Sequence, residues 1–98
     1  MHTRPRILVT QKIPPSAYPE LEAIGEVNAN QQEGLIWSAQ ELLARAPGHD
    51  YILCLLNDSI DARLLEACAG GTPRLKLVAN MAAGFNNIDV EAATRLGI

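Results

Sequence analysis

Residues 51–58 read YILCLLND, an apolar run of six residues that ends abruptly in two polar ones. An unbroken apolar run of this length is typical of a β-strand buried on both faces, as in a parallel sheet covered by helices. Asp58 and Asp61 then indicate the start of a helix, because aspartate is favoured at helix N-termini. The stretch therefore predicts a strand followed by a helix on one side of a parallel sheet.

The same unit recurs on both sides of this stretch. Arg6–Thr10 and Leu75–Ala79 are further apolar runs, and Glu26–Asn30 is a short polar run that suggests an edge strand. Helices are predicted between these strands. One begins at Ser16 and ends at Gly25, a second begins at a capping box formed by Ser38 and Glu41, directly after Trp37, and the last begins at Asp89. Inward-facing positions are expected at Ala17, Leu21, Ile24, Ile60, Leu64, Cys68, Val90, Ala93 and Leu96. The order β-α-β-α-β-α-β-α predicts an α/β fold with a flavodoxin-like, doubly wound, mostly parallel sheet.

The last residues, Arg95–Ile98, contain a glycine that follows the final predicted helix. A glycine in that position usually leads into another strand. We therefore expect a fold truncated before its last strand, which would leave one edge of the sheet open.

Composition excludes several classes of function. The chain has 98 residues, a net charge of −3 and scattered basic residues, which argues against a nucleic-acid or anionic-membrane surface. No apolar run approaches the roughly 20 residues of a membrane span. Cys54 and Cys68 are predicted to be buried, reduced side chains, which fits a cytoplasmic protein. His2 and His49 form no pattern with them that predicts a metal site.

Ligands of open parallel sheets bind beyond the carboxyl ends of the strands, so three loops are candidates. The loop Gln11–Ser16 contains two prolines, which lack the N–H groups that a flavin phosphate needs. The loop Asn57–Ser59 is explained by helix capping, with a catalytic carboxylate at Asp58 as the weaker reading. Leu56, at the tip of its strand, could point into the core or into a cleft. No G-x-G-x-x-G motif exists, so this segment is not expected to bind a dinucleotide by itself.

The third loop, Asn80–Ile88, contains the small residues Ala82, Ala83 and Gly84 but no charged side chain. Its backbone N–H groups could converge on a small anion, helped by a positive φ at Gly84 and by the nearby helix N-terminus. A tight strand-to-helix turn, with Asn86 and Asn87 in unusual backbone conformations, is the alternative. The residues alone leave both interpretations open.

The stretch Ala79–Asp89, with Glu91-Ala92-Ala93 and Arg95–Ile98 after it, resembles the D-isomer-specific 2-hydroxyacid dehydrogenases, most of all their glyoxylate/hydroxypyruvate reductase branch. The similarity extends to Ile7–Thr10, Ile13-Pro14, Glu41–Leu43 and Leu55–Asp61. The resemblance implies an oxidoreductase that reduces a small 2-keto acid with NADH or NADPH to the D-2-hydroxy acid. It also implies that residues 1–98 are the N-terminal portion of a discontinuous substrate-binding domain, without the Rossmann cofactor domain.

The same resemblance implies which residues of this chain contact substrate. Positions matching Ala83 and Gly84 hold the substrate carboxylate through their backbone amides, and the position matching Leu56 lines the pocket. The chain departs from the family at Ala83, where Val is common, and at Leu96, where a basic residue is frequent. The family's catalytic Arg, Glu and His and its dinucleotide motif lie downstream of the matched region, so no catalytic, cofactor-binding or metal residue is assigned here.

Two hypotheses follow from the sequence. In the first, the chain is the substrate-binding fragment of such a dehydrogenase, inactive alone and homodimeric as the full-length enzyme, with NAD or NADP bound elsewhere. In the second, it is a free-standing flavodoxin-like binding or dimerisation module without catalysis. The sequence does not discriminate between individual keto acids or between NAD and NADP.

Overall fold

The computed structural model describes residues 4–98 as a four-stranded parallel sheet with helices on both faces. The strands are β1 (Arg6–Val9), β2 (Glu26–Ala29), β3 (Tyr51–Leu55) and β4 (Leu77–Met81). The helices are a 3₁₀ helix (Pro15–Ala17), α1 (Tyr18–Ile24), α2 (Ala39–Arg45), α3 (Ala62–Ala69) and α4 (Val90–Leu96). The strand order is β2-β1-β3-β4, with parallel pairing throughout. The predicted α/β class and doubly wound, flavodoxin-like arrangement are confirmed.

The two faces of the sheet are covered unequally. The larger core lies where α2, α3 and α4 pack on the sheet, and its fully buried side chains include Leu42, Ile52 and Leu65. The smaller core, around Ile7, Val9 and Ile13, lies on the other face, where α1 packs on the first two strands. On that second face Leu77 and Met81 of β4 stay about half exposed, at 52% and 45%.

The helices α2, α3 and α4 begin where the sequence predicts, because local side-chain caps start them. The first helix differs from the prediction, since Ser16 lies in the 3₁₀ helix and α1 begins at Tyr18 without a side-chain cap. Ser38 and Glu41 form a complete capping box at α2, and Trp37 before it is buried in the same core as Leu42. Asp61 and Asp89 cap α3 and α4 by accepting backbone N–H bonds from the first helical turn.

Several boundaries and orientations differ from the prediction. The fourth strand runs from Leu77 to Met81, two residues later than expected, because Leu75 is buried in the larger core before the strand begins. Ile24 and Val90 are exposed rather than buried, at 58% and 46%, so these two inward positions were wrong. Ile60, Leu64 and Cys68 are buried as predicted.

β4 forms one edge of this sheet and β2 forms the other, as predicted for the polar second strand. Both predicted cysteines are buried and free. Burial raises the pKa of the Cys54 thiol to about 12, with the Asp58 carboxylate adding to the effect, and raises the pKa of Cys68 to about 11. In the part of the chain that the structure describes, no helix is long and apolar enough to cross a membrane.

Candidate functional site

The carboxyl ends of β1, β3 and β4 lie at the same end of the parallel sheet, and the three candidate loops follow them. We call this end of the sheet its carboxyl edge. The pairing of Leu55 with Met81 is the last step of the β3–β4 ladder. Leu56 and Ala82 come directly after this pair, so the end of β3 and the start of the small-residue loop are neighbours. The parallel topology therefore brings together Leu56 and the loop that holds Ala83 and Gly84.

The predicted site residues are accessible to solvent at the carboxyl edge of the sheet. Leu56 is 59% exposed, so its side chain points out of the core, which decides between the two orientations that the sequence left open. Ala83 and Gly84 are also exposed. Within residues 4–98, the backbone N–H groups of Ala83 and Gly84 make no hydrogen bond. Two free amide donors and an exposed apolar side chain thus follow the ends of two neighbouring strands.

Gly84 does not use the positive φ that the sequence analysis allowed for it. Positive φ occurs at Gly34, Gly48 and Gly97, and in the described residues no side-chain-bearing position adopts it. A Cβ placed on Gly84 would meet no atom within 4 Å, so the space in front of this residue is open. The glycine leaves room for a ligand to approach the backbone, rather than enabling a left-handed turn.

The alternative explanation of the loop also changes. Asn86 and Asn87 were expected to tolerate unusual backbone angles, but neither has a positive φ. The Asn87 side chain instead donates to the carbonyls of Leu55 and Asp58, both at 3.0 Å. Its amide holds the loop against the end of β3.

The N-terminus of α4 is capped by a carboxylate of its own chain. The helix starts at Val90, six residues after Gly84, and the carboxylate of Asp89 already accepts the N–H of Ala92 at 3.0 Å. The negative charge of Asp89 thus already lies at the helix end that was expected to favour an anion.

Asp58 has a different role from the predicted helix cap, since Asp61 caps α3. Asp58 is 1% exposed, and its Oδ2 accepts hydrogen bonds from the Thr10 hydroxyl at 2.5 Å and the Leu55 N–H at 2.9 Å. The carboxylate therefore joins the end of β1 to the turn after β3. Buried behind the loop surface in this way, it is a structural group and not an accessible acid or base.

The sequence did not predict the pairing of the Asn80 and Asn87 side chains. Each side-chain amide donates to the other, at 2.9 Å and 3.2 Å, and Asn80 also donates to the carbonyl of Gly84 at 2.8 Å. The available signal was an asparagine in the otherwise apolar strand that reads LVANM. A polar side chain at such a position needs a partner, which here lies seven residues along the chain.

A cavity elsewhere on the surface differs from the loop in its chemistry. An apolar hollow of about 330 Å³ lies on the face of the sheet where α1 packs, between Leu21, Ile24 and Leu77. Its lining is almost entirely hydrocarbon, so it offers a small carboxylate no hydrogen-bond donors comparable to the loop amides.

Comparison with known proteins agrees with this fold. The family described as D-isomer specific 2-hydroxyacid dehydrogenase, catalytic domain, matches residues 7–98. Glyoxylate reductases from Thermococcus onnurineus and Aeropyrum pernix are 38% and 41% identical, each over 97% of this chain. The chain spans only 27% of the length of each of these relatives.

Solved structures show the same arrangement. A Pyrococcus horikoshii protein superposes with a TM-score of 0.82 at 30% identity, over 98% of this chain and 26% of its own. An NADPH-dependent glyoxylate/hydroxypyruvate reductase from Sinorhizobium meliloti, solved with NADP and malonate, has a TM-score of 0.65 at 27% identity. That comparison covers 98% of this chain and 27% of the reductase.

Proposed function

Because this chain belongs to the D-isomer specific 2-hydroxyacid dehydrogenase family, we propose that it is the carboxylate-recognition part of an oxidoreductase acting on a small 2-keto acid. The enzyme would reduce a substrate of the glyoxylate or hydroxypyruvate type to the D-2-hydroxy acid. In this proposal residues 1–98 are the N-terminal portion of the discontinuous substrate-binding domain.

One observation carries the proposal: the unpaired N–H groups of Ala83 and Gly84 lie exposed at the carboxyl edge of the sheet. A carboxylate has two oxygens that can accept two such donors, and a charged acceptor makes stronger hydrogen bonds than a neutral one. Leu56, from the neighbouring strand end, would provide an apolar wall beside the carbon chain of the substrate. These groups bind and orient the substrate, and its reduction requires further groups.

The described residues do not fit a dinucleotide. After β1 the chain enters Pro14, Pro15 and a three-residue 3₁₀ helix, rather than the glycine-rich strand-to-helix turn that receives a pyrophosphate. We therefore propose that NAD or NADP, as the family uses, binds to another part of the enzyme. The Sinorhizobium meliloti relative, solved with both NADP and the dicarboxylate malonate, supports a site for each ligand in such enzymes.

The site is tested by titrating the ¹⁵N-labelled chain with oxamate, a stable 2-oxo carboxylate, and with uncharged acetamide as the control ligand. We expect the amide signals of Ala83 and Gly84 to shift with oxamate and not with acetamide. With two main donors the dissociation constant should be roughly millimolar. Shifts that are absent from this loop, or equal for both ligands, would contradict the proposal.

A matched pair of variants sharpens this test. Gly84→Val should raise the dissociation constant at least about tenfold, because its side chain would fill the open space in front of the amides. The fold should tolerate it, since a Cβ there meets no atom within 4 Å. Gly70→Ala, at the end of α3 and with only ordinary van der Waals contacts, is the control and should bind as the wild type does.

A further inference from the structure

The loop that contains Ala83 and Gly84 is held by the side chain of Asn80, the fourth residue of β4. The Asn80 amide nitrogen donates to the Gly84 carbonyl at 2.8 Å and to Asn87 Oδ1 at 2.9 Å. Asn80 Oδ1 accepts from Asn87 Nδ2 at 3.2 Å and from the Cys54 thiol at 3.3 Å. All the hydrogen-bonding groups of this side chain are engaged, so it has one defined orientation.

Asn87 anchors the other end of the loop. Its Nδ2 reaches the carbonyls of Leu55 and Asp58, and its backbone carbonyl accepts the N–H of Ile60 at 2.8 Å. The paired amides of Asn80 and Asn87, which we call the asparagine clamp, thus join the loop to β4 and to the turn after β3.

We propose that the asparagine clamp is a positioning device that presets the loop for carboxylate binding, an inference that rests on the proposed function above. Holding the Gly84 carbonyl restricts the backbone of a residue that is otherwise free to rotate. Because the peptide bond is planar and trans, the next N–H, that of Phe85, is directed away from Asn80. A donor loop fixed before the ligand arrives loses less conformational entropy on binding than a mobile one.

The inference is tested with Asn80→Asp and Asn80→Ala. The first keeps the size of the side chain but cannot donate to the Gly84 carbonyl when ionised, and the second removes the clamp without adding charge. We expect both to raise the dissociation constant for oxamate at least about fivefold. Asn86→Asp and Asn86→Ala are the controls, because Asn86 is exposed in the same loop and makes no side-chain hydrogen bond within residues 4–98.

The charge-matched control separates positioning from electrostatic repulsion. If Asn86→Asp weakens oxamate binding as much as Asn80→Asp does, while Asn80→Ala leaves it within about twofold of the wild type, added charge explains the loss and the clamp is refuted. If the wild-type chain binds oxamate and both Asn80 variants bind it within about twofold, the clamp is refuted while the carboxylate site stands. If the wild-type chain does not bind oxamate, the proposed function itself fails.

A measurement on the wild-type chain removes any dependence on how well the variants fold. In the ligand-free chain, ¹⁵N relaxation should show the Gly84 and Phe85 amides to be as rigid as those of β4, because Asn80 already holds the carbonyl between them. Amides that are mobile without oxamate and become rigid only with it would overturn the inference.

Discussion

At the scale of single residues, two contacts fix the protonation of the buried side chain of His49. His49 is 2% exposed, and its Nδ1 lies 3.0 Å from the Ala46 carbonyl, which can only accept a hydrogen bond. The Nδ1 therefore carries the proton. Its Nε2 lies 3.3 Å from the Asn28 amide nitrogen and accepts from it, an arrangement that requires a neutral ring.

This geometry predicts a loss of stability in mild acid. Burial lowers the pKa of His49 below 6.5, opposed in part by its hydrogen bond to Ala46, while Arg6 lowers it and Asp50 and Glu26 raise it. Below pH 6.5 the unfolded chain binds a proton that the folded chain resists, so the free energy of unfolding should fall as the pH decreases.

Denaturant unfolding between pH 7.5 and pH 5 measures this effect. We expect His49→Gln to show a flatter dependence on pH than the wild type over this range. The other histidine, His2, lies outside the described residues and is present in both proteins, so the comparison isolates His49. Parallel pH profiles for the two proteins would contradict the assignment.

At the scale of elements, the short helices depend on their first turns. α2 has only seven residues, which is well below the length at which an isolated helix is stable in water. Its capping box satisfies two backbone donors, and its buried Leu42 attaches it to the larger core. Local capping and tertiary packing must act together to hold a helix of this size.

Removing the cap should therefore have a measurable cost. We expect Ser38→Ala to lower the free energy of unfolding by about 1 kcal/mol, because the N–H of Glu41 loses its acceptor. Gln40→Ala, at an exposed position in the same helix, should change it by no more than about 0.5 kcal/mol. Equal effects of the two substitutions in thermal or urea unfolding would show that the cap is not a main contributor.

At the scale of the whole molecule, the sheet carries one part of the machinery that the proposed reaction needs. It carries free amide donors at one edge and, in the described residues, neither a dinucleotide turn nor an accessible acid or base beside them. Hydride transfer needs a donor, a proton source and a bound substrate placed together. In our proposal this chain places only the substrate.

A chimera tests whether this chain supplies only the substrate-binding part of the enzyme. We expect the 98-residue chain alone to catalyse no glyoxylate-dependent oxidation of NADPH or NADH. A chimera in which these 98 residues replace the matching segment of the Thermococcus onnurineus glyoxylate reductase should catalyse this oxidation. In the chimera, Gly84→Val should raise KM at least about tenfold, and Gly70→Ala should leave it unchanged. A folded chimera that is inactive on both glyoxylate and hydroxypyruvate would refute the proposal.

The sequence by itself determined the order of the elements, their caps, the class of the sheet and the family. These features depend on neighbouring residues: an apolar run such as YILCLL, a cap such as Ser38 with Glu41, or the motif around Gly84. It also pointed to Leu56, Ala83 and Gly84 as site residues, whose role in substrate binding stays a prediction.

Only the tertiary structure decided how the site is supported and which surfaces stay open. Asp58 binds Thr10 across 48 positions of the chain, and the Asn87 amide reaches Leu55 across 32. Likewise, α1 and the 3₁₀ helix before it pack on their face of the sheet, and Leu77 on that face stays half exposed. Local patterns cannot specify such contacts, because the partners meet only when the parallel strands align their carboxyl ends at one edge.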